Sequence, residues 1–123
     1  MDLIRRLARF GLVTCLLLVT VGSLLPGGVA PPHPMNGLVV HALAYGVLGV
    51  GASLASETRS ALLAALIFVW SVLIELAQGL LVPGRDGNPF DVAANAFGVM
   101  AGYLLARSAL RRAMRSSSSA SSM

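Results

Sequence analysis

Seven polar side chains stand out in a largely apolar chain, and six of them are paired at helical spacing. His41 and Tyr45 are four residues apart, Glu75 and Gln78 three, and Asp91 and Asn95 four, so each pair shares one face of a helix. The seventh is Arg85, in a short polar stretch between the second and third pairs. These residue types suit proton transfer and the holding of an anion. Glu75 or His41 would be the general base of a reaction, with Arg85 and Asn95 stabilising a developing negative charge. The same set would equally bind a phosphate or carboxylate without reacting with it. No nucleophile motif, Cys/His metal set or cofactor fingerprint accompanies them, so neither a metal nor a cofactor is expected.

Most members also have a plainer reading. Asp91 suits the first turn of a helix, where the backbone dipole favours an acid. Arg85 has Asp86 and Asp91 as ready partners. His41 and Tyr45 suit a membrane interface, with their polar tips among headgroups. Gln78 and Asn95 suit hydrogen bonding between helices. Glu75 is the exception, because it falls inside the longest apolar run. A carboxylate at membrane depth costs about 2.5–3.5 kcal/mol on insertion scales, so it needs a partner, a proton or a water-filled cavity.

The elements that must carry these residues are apolar spans. Of the 123 residues, 56% are hydrophobic and only 11% charged, with a mean hydropathy of +0.80. A soluble domain, at about 25% charged, has far more polar residues with which to cover its surface. The apolar residues fall into four runs, about Leu7–Leu25, Gly37–Ala55, Ala61–Val82 and Pro89–Ala106. Each is near the twenty residues that cross the hydrocarbon of a bilayer. The Pro/Gly-rich connector from Pro26 to Asn36 cannot be helical throughout. Asn88 followed by Pro89 reads as an N-cap and first helical residue. Gly98 and Gly102 make a GxxxG pair, a common helix-contact pattern. The tail, Arg107–Met123, is basic and then serine-rich, and its composition predicts disorder.

Two alternatives attach to the first run. Its basic start, apolar core and small residues near Gly28–Ala30 match a cleaved signal peptide, but the core is long for one, so a retained helix is favoured. Leu12-Val13-Thr14-Cys15 loosely matches a lipoprotein cleavage site. Thr14 fits that poorly and the run continues past Cys15, the single cysteine, which is read as a packing residue with no disulfide partner.

The net charge of +4 comes entirely from arginine. Because the arginines flank apolar spans, anionic lipid headgroups are a simpler partner for them than nucleic acid. Every arginine except Arg85 falls at the N-terminus, in the Glu57/Arg59 turn or in the C-terminal tail. The excess of positive charge on cytoplasmic segments then gives an all-α integral membrane bundle of four transmembrane helices, with both termini cytoplasmic (N-in/C-in). In that topology His41 lies about one turn below the outer surface, Glu75 about two turns, Asp91 at the rim and Asn95 about one turn in. The second and fourth helices both begin on this side, so their positive dipole ends point at the same region.

His41-x-x-x-Tyr45 followed by Gly46 and Leu48, then Glu75-Leu76-x-Gln78, then Arg85, then Asp91-x-x-x-Asn95-x-x-Gly98 resembles the VanZ-like family. These are small bacterial membrane proteins named for a member that confers resistance to the glycopeptide teicoplanin. The resemblance runs from about Pro31 to Ala106 and rests on the order and spacing of the whole set. It implies a four-helix protein of the bacterial plasma membrane with an outward-facing polar site. One departure is clear: the family usually has an Asp-Lys pair four and three residues before the histidine, where this chain has Gly37 and Leu38.

Three functions follow as expectations. In the first, the site holds an anionic lipid or lipid-linked cell-wall intermediate and so affects glycopeptide susceptibility. In the second, the protein is an intramembrane enzyme acting on a lipid headgroup. In the third, it is a scaffold or small-transporter subunit, whose small-residue helix faces suit association with a second copy or another chain.

Overall fold

The structure, a computed structural model, describes residues 1–29 and 36–121. Prolines 31, 32 and 34 of the connector, together with Ala30, lie outside the described residues. Long runs of Leu, Ala and Val satisfy their backbone groups within themselves. They form four α-helices: α1 (Asp2–Leu24), α2 (Gly37–Ala55), α3 (Ser60–Leu81) and α4 (Pro89–Ser121). All four are long and apolar enough to cross a membrane.

Local chemistry sets the boundaries. Asn36 Oδ1 accepts the Leu38 N–H at 2.9 Å and starts α2. Asn88 Oδ1 accepts the Phe90 N–H at 3.0 Å and starts α4, with Pro89 at the first helical position. After α3, Pro83 is followed by Gly84 at φ +71°, a left-handed turn that a side chain would oppose.

Two boundaries differ from the sequence expectation. Helix α1 begins at Asp2 rather than near Leu7, so Arg5, Arg6 and Arg9 are helical. Arg9 donates to the Ala55 carbonyl at 2.9 Å, at the end of α2. The tail, expected to be disordered, continues α4 to Ser121. Residues 107–114 are Arg, Ala, Leu, Met and a single Ser, mostly good helix formers that extend an existing helix cheaply. Beyond them the serine hydroxyls bond back to carbonyls three residues earlier, Ser116 to Ala113 and Ser118 to Arg115 among them. The extension is exposed along nearly all its length, in keeping with its lack of apolar surface.

The closest pair of helices is α2 and α4, which run parallel. Glycine makes this approach possible. A Cβ at Gly102 would collide with the Gly46 carbonyl, one at Gly98 with the Ala42 carbonyl, and one at Gly49 with the Val99 carbonyl. Ser53 adds a 2.9 Å hydrogen bond to the Tyr103 carbonyl. Tyr45, Leu48 and Ala52 of α2, Ile67 of α3 and Val99 of α4 form the core, with Cys15 and Leu16 of α1 packed against it.

This core is small and the outer surface is strongly apolar: Leu80 is 80% exposed, Leu105 71% and Phe97 69%. Helix α1 has no buried residue. It is tied mainly near its two ends. At one end Arg5 pairs with Glu57 at 2.6 Å, and Arg107 of α4 donates to the Glu57 carbonyl at 3.4 Å. Near the other end Trp70 donates to Thr20 at 2.9 Å and Gln78 to the Ser23 carbonyl at 2.6 Å. The start of α1, the α2–α3 turn and Arg107 thus share one end of the bundle, and the α3–α4 loop lies at the opposite end.

Candidate functional site

Three helices bring polar side chains together at the α3–α4 loop end. Helix α2 carries His41 about one turn from its start, and the glycine seam holds it beside Asn95 of α4. His41 Nδ1 lies 2.9 Å from Asn95 Oδ1, a hydrogen bond between neighbouring helices. One turn earlier on α4, Asp91 Oδ2 lies 3.6 Å from His41 Nε2. Helix α3 presents Glu75, whose Oε1 is 4.0 Å from His41 Nδ1. Its Oε2 accepts the backbone N–H of Asn88 at 3.2 Å. Glu75 is 4% exposed and Asn95 1%. Glu75 Oε1 is buried and has no hydrogen-bond partner among the described residues.

The seven residues picked out by spacing therefore divide. His41, Glu75, Asp91 and Asn95 meet. Tyr45 lies one turn further along α2 and is buried in the core. Gln78 and Arg85 turn instead to the end of α1. Arg85 Nε donates to the Leu25 carbonyl at 3.1 Å and Nη2 to the Gly22 carbonyl at 3.3 Å. Basic groups near a helix C-terminus satisfy its unpaired carbonyls in this way. The cluster is thus acidic: two carboxylates and an imidazole, with the guanidinium directed elsewhere.

The sequence has no Cys/His set and points to no metal, yet the fold brings three groups of metal-ligating type together. His41, Glu75 and Asp91 each offer a ligand atom within 4.8 Å of the others. Residues so far apart in the chain form no spacing motif, so only the helix packing reveals the group. Sequence reasoning also missed Asn88 as a partner of Glu75. Its donor is a main-chain N–H, which leaves no signature in residue type beyond the N-cap itself.

A cleft of about 550 Å³ opens beside Glu75, bounded by Val72, Leu76, Gly79, Asn88 and Val92. Its α3 side is mainly apolar and its loop side polar. Such a cleft can receive an amphipathic molecule with its polar part against Glu75. At the opposite end, near Arg5 and Arg107, lies a smaller cavity of about 270 Å³.

No protein-family model, no curated protein and no solved structure matches this chain.

Proposed function

We propose that this chain is a VanZ-like, multi-pass protein of a bacterial plasma membrane, with both termini cytoplasmic and the His41–Glu75–Asp91–Asn95 cluster facing outward. In this reading the cluster and its cleft engage the headgroup of an anionic envelope lipid or lipid-linked cell-wall intermediate, and so alter susceptibility to teicoplanin. The observation that carries the reading is the cleft. It places an apolar wall and a buried, half-satisfied carboxylate side by side, as a lipid with a polar head requires. The four long apolar helices and the apolar outer surface support the membrane setting, and the arginines clustered at the opposite end support the orientation.

The test is growth of a susceptible bacterium in teicoplanin, with wild type and Glu75→Ala matched for membrane level. Protection by wild type and none by the variant is the expected result. Equal protection by both would remove the cluster from function, and protection by neither would remove the glycopeptide role.

One observation favours a second reading, an intramembrane enzyme. Glu75 Oε1, without a hydrogen-bond partner among the described residues, lies 4.0 Å from the His41 imidazole, an arrangement suited to a general base. Under that reading Glu75→Gln retains the lipid on purification but fails to convert it.

A further inference from the structure

We propose that His41, Glu75 and Asp91 bind a single divalent cation of the zinc or manganese type, with Asn95 as the residue that positions the imidazole. Three independent helices deliver one ligand atom each within 4.8 Å of the others. A tetrahedral ion with bonds near 2.0–2.1 Å holds its ligands about 3.3 Å apart. His41 Nε2 and Asp91 Oδ2, at 3.6 Å, are already close to that spacing, and Glu75 Oε1, 4.0 Å from the other ring nitrogen, would move toward Nε2 to complete the set.

The hydrogen bonds point the same way. Asn95 Oδ1 can only accept, so His41 Nδ1 carries the proton in the pair they form. In the neutral imidazole Nε2 is then unprotonated and lies 3.6 Å from a carboxylate oxygen of Asp91. Two acceptors face each other stably only with a cation or proton between them. Metal-bound histidines characteristically donate their other ring N–H to an oxygen acceptor, the part Asn95 plays here.

Glu75 provides the second, separate observation. Its Oε2 is held by the Asn88 N–H, while Oε1, on the imidazole side, is buried and has no hydrogen-bond partner among the described residues. A buried carboxylate oxygen left unpaired is strongly unfavourable, and a coordinated cation satisfies it.

Charge and donor type narrow the ion. With both carboxylates ionised and the imidazole neutral, the three ligands carry two negative charges. Among the described residues no guanidinium hydrogen-bonds into the cluster, since Arg85 is engaged at α1. An imidazole among the donors disfavours calcium and magnesium, which take oxygen, and the lack of thiolate disfavours copper(I). Resting on the headgroup reading above, the ion also resolves how an acidic cluster holds an anionic lipid: an open coordination position facing the cleft accepts a phosphate oxygen.

The test is titration of the full chain, purified in detergent and stripped with a chelator, with Co²⁺ in the absence of lipid. Expected are visible absorption bands saturating at one equivalent, displaced by Zn²⁺, and a Zn²⁺-dependent rise in the thermal midpoint. Glu75→Gln and Asp91→Asn should each weaken Co²⁺ binding at least tenfold. Asn95→Ala should weaken it by about 10–100-fold with unchanged stoichiometry, and Glu57→Gln at the far end should leave it unchanged. Circular dichroism of each variant separates lost binding from lost folding. Absence of saturable binding and of any midpoint shift in wild type overturns the site. Undiminished binding in folded Glu75→Gln and Asp91→Asn also overturns it. Cobalt binding without teicoplanin protection would sink the headgroup reading alone, and protection without cobalt binding would sink the cation alone.

Discussion

At the scale of the residue, the division among the seven polar side chains has energetic consequences. Arg85 lies above the cluster in sequence-derived depth, yet its hydrogen bonds go to the carbonyls of Gly22 and Leu25. A half-exposed guanidinium bonded to neutral carbonyls is worth about 1 kcal/mol. Arg85→Ala is therefore expected to lower the thermal midpoint modestly while leaving Co²⁺ affinity and teicoplanin protection per molecule intact. Loss of protection in a stably inserted Arg85→Ala protein would place the guanidinium back in the site. The helical spacing made His41, Glu75, Asp91 and Asn95 legible as candidates, because i, i+3 and i, i+4 positions mark a face. Spacing on one helix does not say which neighbour that face meets. Gln78 follows Glu75 by three residues, and that rotation is enough to send its amide to Ser23 while the carboxylate meets His41.

At the scale of the element, the α2–α4 seam fixes the cluster. His41 and Asn95 are neighbours because the glycines below them let two parallel backbones touch. A Val at position 98 would meet the Ala42 carbonyl, one residue from His41. Gly98→Val should therefore cost about 1–3 kcal/mol or more. It should also weaken Co²⁺ binding, although residue 98 is not a ligand. Thermal unfolding and the same titration check both effects, and an unchanged midpoint would mean that the seam is looser than described. The GxxxG pair was visible in the sequence as a contact motif, but the glycines of α2 gave no fixed spacing from which to name their partner. The tail shows a different limit. Composition marks Arg107–Met123 as unable to bury enough apolar surface to order itself, but helix propagation from α4 as far as Ser121 needs no burial.

At the scale of the whole molecule, polarity is distributed by end. The bundle gathers Arg5, Arg9, Glu57 and Arg107 at one end and the His41–Glu75–Asp91 cluster toward the other. In the proposed topology the first end is cytoplasmic. Single cysteines introduced at Thr58 and Asp86, in a Cys15→Ala background, should therefore behave oppositely in intact cells. A membrane-impermeant maleimide should label Asp86→Cys and spare Thr58→Cys, and the reverse pattern would invert the assigned orientation. The four apolar runs made the helices readable from hydropathy alone. Which helices touch was not readable, because all four runs are apolar on most sides, leaving no polar face to show which side turns inward.

The partners of Glu75 also imply an order of assembly during synthesis. Helix α1 carries its polar ties mainly toward its two ends, so under the proposed membrane setting little of its length waits on the helices that follow. Helix α3 cannot. Its buried carboxylate meets His41 from the chain already made, but the Asn88 amide, Asp91 and Asn95 have yet to leave the ribosome. Until α4 is made, Glu75 lacks the Asn88 amide that holds its Oε2. Helix α4 therefore completes the described bundle and the site together, and a chain stalled before Asn88 would lack the Asn88, Asp91 and Asn95 partners of the cluster.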